Sequence, residues 1–165
     1  MILTKHNASL IPYRTAGEAS RFSRALLPEA VREYCASVGA PPKEVVFLPN
    51  GKPVFADFPG HFLSVTHTGD LLLFAFAPVP IGVDAEKKTE ERPRVAARYF
   101  TETERLLPFA AVWTAREAVA KLSGGGLSDA LRVTVSGNTA LLDGRTYSLF
   151  TAEYGEYLVT IAEIG

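Results

Sequence analysis

The chain has 165 residues, of which 47% are hydrophobic and 21% charged, an ordinary balance for one globular domain or two small lobes. Its net charge of −1 argues against a nucleic-acid binder that works through bulk electrostatics. The single cysteine, Cys35, excludes an intramolecular disulfide, and the longest apolar run is too short to span a bilayer, so we expect a cytoplasmic protein without a membrane partner.

The first half of the chain predicts a helical region followed by short strands. Residues 1–16 are weakly patterned, and we expect Pro12-Tyr13-Arg14 to be an exposed lead-in. Apolar residues recur at helical spacing over 17–38, where Pro28 is expected to divide the stretch into two helices. A strand at 45–48 precedes the hairpin signal Asn50-Gly51, and further strands are predicted at 62–65 and 71–77.

The second half shows a similar order. Thr101-Glu102-Thr103-Glu104 has the Thr-x-x-Glu spacing of a capping box, which predicts a short helix after a polar segment. Residues 109–122 predict a longer helix that ends at the glycines beginning with Gly124. Strands are predicted at 131–135, 140–142, 147–151 and 157–161.

Glycines at turns recur at a constant offset in the two halves. The pairs are each separated by 86 positions: Gly39 and Gly125, Gly51 and Gly137, Gly69 and Gly155. We interpret this as an internal duplication, with an N-terminal lobe at 1–79, a C-terminal lobe at 80–165 and the active site between them. Because both lobes belong to one chain, we expect a monomer.

Two carboxylates stand one residue apart directly after the apolar run that joins the halves. If 81–87 is a strand, Asp84 and Glu86 point to one face while Val83 and Ala85 point to the other. Paired carboxylates repel each other unless a cation lies between them, and oxygen ligands of this kind suit Mg²⁺. The ordinary alternative is a solvated acidic end of a strand.

A second pair lies on the longer helix of the second half. Glu117 and Lys121 are four residues apart and therefore share a helix face. They are either a surface ion pair or a third metal ligand with a phosphate-binding lysine one turn further on. The two interpretations differ in whether this face points into a ligand site.

Smaller polar groups add to this inventory in the first half. His67 lies between two threonines at a strand end, which is a donor set that suits a phosphate or diphosphate, although a lone histidine is more often structural. Lys52 follows the hairpin turn, where a solvated lysine is also ordinary. Together with the carboxylates these residues suit a substrate that is a magnesium-bound diphosphate.

The sequence resembles the Sfp-type 4′-phosphopantetheinyl transferases. The motifs that carry the resemblance span residues 51–127 in the order of that family: Gly51-Lys52-Pro53, Thr66-His67-Thr68-Gly69, Ile81-Gly82-Val83-Asp84-Ala85-Glu86-Lys87, Arg98-Tyr99-Phe100-Thr101-x-x-Glu104, Trp113-x-x-Arg116-Glu117-x-x-x-Lys121 and Gly124-x-Gly126-Leu127. The resemblance implies an α+β, pseudo-twofold fold of two lobes, each with a small antiparallel sheet packed on a helix. It also implies transfer of the phosphopantetheine arm of coenzyme A to a serine of an acyl or peptidyl carrier protein, with Mg²⁺ and release of 3′,5′-ADP.

The resemblance also implies roles for individual residues. The metal ligands would be Asp84, Glu86 and Glu117, and Glu117 would also be the base for the serine hydroxyl, directly or through a water. The remaining catalytic and coenzyme A-binding residues would be Lys121 at the diphosphate, His67 and Thr66 at phosphates, Lys52 and Pro53 at the adenine or phosphate site, and Arg24, or alternatively Arg21, at the 3′-phosphate.

The sequence also departs from the family pattern. Arg116 and Gly125 stand where lysines are usual, and an arginine cannot give up a proton as a lysine can. A non-catalytic module that binds coenzyme A or a carrier protein is therefore the alternative hypothesis. A third hypothesis is a different magnesium-dependent phosphoryl-transfer enzyme on the same scaffold.

Overall fold

A computed structural model describes residues 2–3, 8–14 and 19–165. The chain divides into two compact units, Met1–Ile81 and Gly82–Gly165. Each unit contains helices and hydrogen-bonded strands, which confirms the predicted α+β class. The predicted lobe boundary between residues 79 and 80, and a site between the lobes, stay predictions. Within the described residues, no helix combines the length and the hydropathy needed to cross a membrane.

The described part of the first unit contains one helix, a four-stranded antiparallel sheet and a small hairpin. The sheet has the order β1-β2-β6-β5, and the hairpin joins β3 to β4. The elements are β1 (Ile2–Leu3), β2 (Ala8–Arg14), α1 (Ala19–Ser37), β3 (Val45–Phe47), β4 (Pro53–Phe55), β5 (Phe62–Thr68) and β6 (Leu71–Ala77).

The core of the first unit forms where α1 packs on β5 and β6. Tyr34 of α1 stacks on Phe76 of β6 with ring centroids 4.7 Å apart, and its hydroxyl is hydrogen-bonded to Nδ1 of His61 over 2.7 Å. Because β6 is buried along its whole length, the apolar run that the sequence shows there forms a strand covered on both faces.

The prediction that Pro28 divides the first helical region is wrong. The helix α1 continues through Pro28 from Ala19 to Ser37. Leu27, Ala30 and Val31 are buried on either side of the proline, so the same apolar face packs before and after it. Burial of that face offsets a proline penalty of about 3 kcal/mol in a helix interior.

The predicted lead-in at Pro12-Tyr13-Arg14 is instead part of a strand, and of its three residues Arg14 alone is exposed. Residues Ala8–Arg14 form β2, which pairs with β6, and Leu10 is buried. The local pattern is weak because Pro12 interrupts it, while the partner strand lies about sixty positions further along the chain. This long-range pairing is what makes the segment a strand.

The second unit contains three helices and a five-stranded sheet with the order β7-β11-β10-β9-β8. A 3₁₀ helix at Glu104–Leu106 follows the predicted capping box. The other elements are β7 (Ile81–Lys87), α2 (Pro93–Tyr99), α3 (Phe109–Ser123), α4 (Gly126–Ala130), β8 (Thr134–Ser136), β9 (Thr139–Leu142), β10 (Arg145–Tyr154) and β11 (Tyr157–Ile164). The sequence did not predict α2 and α4.

The same order of elements occurs in both units. In each, a long helix is followed by one small hairpin and then a longer hairpin, whose last strand pairs with the strand that precedes the helix. Two of the three glycine pairs also agree in backbone conformation, since Gly51, Gly137, Gly69 and Gly155 all have positive φ. The third pair differs, because Gly39 has φ 71° and Gly125 has φ −87°.

Candidate functional site

The strand β7 presents the two predicted carboxylates next to α3. Val83 and Ala85 are buried, and Asp84 and Glu86 alternate with them along the strand. Close packing requires Gly82, since a Cβ there would lie 2.0 Å from the carbonyl oxygen of Ala118 in α3. The glycine of this motif therefore lets the strand approach the helix that carries the second predicted pair.

The first contact between the two predicted pairs is an ion pair. Nζ of Lys121 donates a hydrogen bond to Oδ1 of Asp84 over 2.7 Å, and the Asp84 side chain is only 8% exposed. Lys121 and Glu117 lie one turn apart on α3. The Lys121–Asp84 bond shows that this face of the helix is turned toward β7 rather than being an ordinary solvated face.

The ionisation of Glu117 is affected by the same neighbours. Burial raises the pKa of Glu117, and the negative charge of Asp84 raises it further. The positive charges of Lys121 and Arg92 act in the opposite direction but do not cancel the increase in the pKa. Glu117 and Asp84 are therefore like charges that repel each other in a half-buried place, which is the electrostatic condition for binding a cation.

Glu86, another predicted metal ligand, has a partner that the sequence reasoning missed. Nη2 of Arg92 lies 3.4 Å from Oε1 of Glu86, whose side chain is 13% exposed. Arg92 belongs to the polar segment after β7, where no periodic pattern pointed to it. Its position six residues after Glu86 in a short connection was the available signal.

A metal ion suits the chemistry of this donor set. Asp84, Glu86 and Glu117 offer carboxylate oxygens, the ligands that Mg²⁺ prefers, and two of them are already neutralised by Lys121 and Arg92. In the described part of the chain, no three His, Cys, Asp or Glu side chains converge as a ready metal site. Metal binding by this set thus requires that the carboxylates rearrange from their ion pairs.

Arg116 does not lie with Glu117, although the two are adjacent in sequence. Its side chain is 1% exposed, and its Nη2 donates hydrogen bonds to Oε2 of Glu104 over 2.7 Å and to the carbonyl of Tyr99 over 2.9 Å. Its Nη1 donates to the carbonyls of Ala130 and Leu131. Arg116 is therefore a buried structural residue, and the question of its proton transfer does not arise at this position.

Glu104 completes this buried arrangement through the predicted capping box. Its Oε2 accepts a hydrogen bond from the backbone N–H of Thr101, and the hydroxyl of Thr101 accepts one from the N–H of Glu104. Burial alone would raise the pKa of Glu104, but hydrogen bonds from Arg116, Thr101 and the N–H of Val135 outweigh it and lower the pKa. The carboxylate is thus held ionised inside the unit.

Gly125, the second departure from the family pattern, lies beside an acidic side chain. A Cβ at this position would lie 2.0 Å from the carboxylate of Asp129. Asp129 accepts a hydrogen bond from Ser123 over 2.5 Å and forms an ion pair with Arg132. The turn after α3 is therefore built around Asp129, and a longer side chain at position 125 would require this carboxylate to move.

In the first unit, the two residues predicted for phosphates point in different directions. Thr66 is 3% exposed and His67 is exposed on the next position of β5. Successive strand residues face opposite sides of a sheet, so the structure does not bring these side chains together. Their roles stay predictions, and the exposed His67 is the more accessible of the two.

The structure brings together three other predicted residues of this unit around Phe47. Phe47 pairs with Pro53 across the β3–β4 hairpin, and the guanidinium of Arg24 lies 4.6 Å from the centre of the Phe47 ring. Lys52 precedes Pro53, and burial lowers its pKa. Phe47 was missed, because a two-residue turn at Asn50-Gly51 would have placed Leu48 opposite Pro53, and the observed register is shifted by one residue.

Comparison with known proteins identifies relatives of one kind. A sequence model described as the 4′-phosphopantetheinyl transferase superfamily matches residues 80–162, which comprise β7, the helix α3 and the strands that follow. The matched segment thus contains Asp84, Glu86, Glu117 and Lys121.

Individual relatives agree with this match. The chain is 31% identical over 134 residues to the 4′-phosphopantetheinyl transferase psf-1 of Bacillus pumilus, covering 70% of this chain and 58% of the relative. It is 34% identical over 89 residues to the transferase Sfp of Bacillus subtilis (strain 168), covering 47% and 40%, and 30% identical over 119 residues to the transferase gsp of Aneurinibacillus migulanus, covering 63% and 49%.

The chain spans about half the length of the curated relatives that it matches. Half of the chain, from the strand with the acidic pair to the last hairpin, is nevertheless covered by the family model. This protein belongs to the 4′-phosphopantetheinyl transferase superfamily.

Proposed function

We propose that this protein transfers the 4′-phosphopantetheine group of coenzyme A to a serine of an acyl or peptidyl carrier protein. The observation that carries the proposal is the coupled set of Asp84, Glu86, Glu117 and Lys121 inside the segment matched by the family. Three carboxylates and a lysine are the groups needed to neutralise a diphosphate and to accept a proton from a hydroxyl.

The proposed reaction forms one phosphorus–oxygen bond and breaks another. The serine Oγ attacks the phosphorus that bears the pantetheine arm, a phosphodiester forms, and the bond to the second phosphate breaks to release 3′,5′-ADP. The serine proton passes to Glu117, directly or through a water. The raised pKa of Glu117 supports this role, since a stronger base accepts a proton more readily near neutral pH.

Lys121 and the metal have separate roles in the proposal. Asp84, Glu86 and Glu117 would hold Mg²⁺, which when bound neutralises charge on the diphosphate. Lys121 would exchange its bond to Asp84 for the diphosphate and stabilise the negative charge that develops on the leaving phosphate. Its position one turn from Glu117 supports this assignment.

Coenzyme A binding is assigned to residues of the first unit. Arg24 would bind the 3′-phosphate, Lys52 and Pro53 would line the adenine or phosphate site, and His67 would bind a phosphate, with Thr66 beside it in sequence. The grouping of Arg24 and Pro53 around Phe47 supports the first two assignments. The exposed Arg24 has no acidic partner at ion-pair distance among the described residues, which suits an anion-binding group.

A binding module without catalysis is the second possibility. It is favoured by the ion pairs that neutralise Asp84 and Glu86 in the structure. Such a module would bind coenzyme A or the carrier protein, but it would transfer nothing.

The test is the intact mass of an apo carrier protein incubated with this protein, coenzyme A and Mg²⁺. We expect the carrier to gain one phosphopantetheine, Asp84→Ala to abolish the gain while the protein stays folded, and the exposed-site control Asp57→Ala to keep it. No gain on any carrier while coenzyme A still binds would indicate the binding module. Near-normal turnover of Asp84→Ala would contradict the metal assignment.

A further inference from the structure

Arg92 is held in place beside the acidic groups from several directions. Its Nε donates a hydrogen bond to Oε1 of Glu90 over 2.9 Å, and its Nη2 lies 3.4 Å from Oε1 of Glu86. Its guanidinium carbon lies 5.9 Å from the ring centre of Phe109 and 5.7 Å from that of Trp113. A second carboxylate and two aromatic rings thus keep the cation next to Glu86.

The charge of Arg92 acts on a second proposed metal ligand besides Glu86. Its positive charge also attracts the carboxylate of Glu117. Lys121 neutralises Asp84 in the same way. In the absence of metal, the carboxylates Asp84 and Glu86 are each compensated by a cation of the chain itself.

The cation of the Arg92–Glu86 pair lies on the solvent side of the carboxylate. The Arg92 side chain is 43% exposed, whereas that of Glu86 is 13% exposed, so the cation approaches a half-buried carboxylate from the solvent side. Arg92 precedes α2 in a connecting segment. Its side-chain hydrogen bonds go to Glu90 and Glu86, neither of which is fully buried. Arg92 can therefore move toward water by giving up its contacts with Glu86, Glu90 and the two aromatic rings.

We propose that Arg92 is a built-in counter-cation that competes with a divalent metal ion for Glu86 and so weakens metal binding by the free protein. The inference rests on the proposed function, since it takes Asp84, Glu86 and Glu117 as the metal ligands. Oε1 of Glu86 faces Arg92, and a metal ion that takes this oxygen has to displace the guanidinium. Arg92 thus sets how strongly the site binds metal before substrate arrives.

The size of the effect follows from the exposure of the pair. An ion pair with one exposed partner is weak in water, so removing Arg92 should strengthen metal binding only about two- to fivefold. Salt screens such pairs, so the gain should shrink at high ionic strength.

The experiment measures Mn²⁺ binding without coenzyme A, from the signal of free Mn²⁺ in electron paramagnetic resonance, for the wild type and four variants. Arg92→Gln removes the charge and should lower the dissociation constant about two- to fivefold. Arg92→Lys keeps the charge and should stay near the wild type. Arg94→Gln is the matched control, because Arg94 is exposed, two residues away and without an ion pair in the described chain.

Three results would overturn the proposal. Equal Mn²⁺ affinity of Arg92→Gln and the wild type would show that no competition exists, and weaker binding would show that Arg92 supports the ligands instead. Unchanged Mn²⁺ affinity combined with weaker coenzyme A binding in EDTA would make Arg92 a substrate-binding residue. Asp84→Ala separates these cases from a failed metal assignment: if it binds Mn²⁺ as the wild type does, the proposed metal site itself is wrong.

Discussion

At the scale of single residues, Glu117 carries an electrostatic conflict that the fold does not resolve alone. Burial and the charge of Asp84 raise its pKa, while Lys121 and Arg92 compensate only in part. In the unfolded chain this carboxyl is neither buried nor held close to Asp84. Folding therefore favours the protonated form of Glu117, and its ionised form at neutral pH lowers stability.

Removing this charge should stabilise the metal-free protein. Because the folded pKa lies above the ordinary value of 4.5, the contribution of Glu117 to stability is full below that value and is lost as the pH rises through the folded pKa. In EDTA, we expect Glu117→Gln to raise the melting temperature by about 1–3 °C at pH 7 and to leave it unchanged below pH 4.5. Thermal unfolding followed by circular dichroism at several pH values measures this.

The exposed Glu102 provides the control for this prediction. Glu102→Gln removes one negative charge outside the group of Asp84, Lys121 and Arg92, so it should not reproduce the pH-dependent gain. A melting temperature that rises equally for both variants, or at all pH values, would contradict the proposed cause. Added Mg²⁺ should reverse the order, since only the wild type keeps the full set of proposed ligands.

Arg24 and Arg21 can be separated by the phosphate that they would recognise. Arg24 lies over Phe47, next to Pro53, and is proposed for the 3′-phosphate. A charge-assisted hydrogen bond is worth about 1.5–3 kcal/mol, so Arg24→Ala should raise the KM for coenzyme A about 10- to 100-fold and leave that for 3′-dephospho-coenzyme A unchanged. Arg21→Ala is the matched variant, and a reversed pattern would transfer the role to Arg21.

At the scale of elements, the helix α3 joins two tasks on different faces. Glu117 and Lys121 face β7. Arg116 faces inward to Glu104, to the carbonyl of Tyr99 before the helix and to that of Ala130 after it. A helix turns by about 100° per residue, so neighbouring residues serve different surroundings. The buried pair therefore fixes the rotation of α3, and with it the direction of Glu117.

Replacing Arg116 should test this anchoring. A lysine has one terminal nitrogen and cannot reach Glu104, Tyr99, Ala130 and Leu131 together, so Arg116→Lys should lower the free energy of unfolding by about 1–3 kcal/mol. Arg116→Met leaves the buried Glu104 carboxylate unpaired and should cost about 3–5 kcal/mol. Urea unfolding measures both values.

A second substitution distinguishes the buried charge from lost packing. Glu104→Gln added to Arg116→Met removes the unpaired charge but keeps one accepting oxygen, for the N–H of Thr101 or of Val135 and not for both, so it should recover only part of the loss. Arg98→Met is the exposed control. If the control costs as much as Arg116→Met, the buried ion pair is not what stabilises the unit.

Local patterns in the sequence predicted those elements whose signals lie within them. The capping box at Thr101 and Glu104 forms the two expected hydrogen bonds, and α3 ends at Gly124 as predicted. Elements that depend on distant partners were missed or misread, such as β2, which becomes a strand only against β6. Pro28 was given too much weight because the sequence does not show how much apolar surface both halves of α1 bury.

The candidate site could be predicted in part for the same reason. The spacing of Asp84 and Glu86 predicted that they share one face of a strand, and the spacing of Glu117 and Lys121 predicted that they share one face of a helix. The Arg92–Glu86 pair was missed, because its one signal was closeness in sequence and its geometry depends on the path of an irregular segment. The separation of Thr66 from His67 follows from strand alternation and was available from the sequence.

At the scale of the whole molecule, the proposed ligands are divided between the two units. Arg24, Lys52 and His67 belong to the first unit, and Asp84, Glu86, Glu117 and Lys121 belong to the second. In the proposed function, the diphosphate of coenzyme A contacts the metal ion that Asp84, Glu86 and Glu117 would hold. Metal and coenzyme A should therefore bind with positive coupling, since the diphosphate supplies oxygen ligands that the carboxylates leave unfilled.

The coupling predicts that Mg²⁺ strengthens coenzyme A binding about 5- to 150-fold, the range for a coupling free energy of 1–3 kcal/mol. Isothermal titration of coenzyme A, with Mg²⁺ or with NaCl at equal ionic strength, measures it and removes the screening effect of salt. In Asp84→Ala the coupling should disappear while the affinity in NaCl stays near that of the wild type. Equal affinities of the wild type in both solutions would contradict a shared site, because two ligands that touch the same protein groups and each other cannot bind independently.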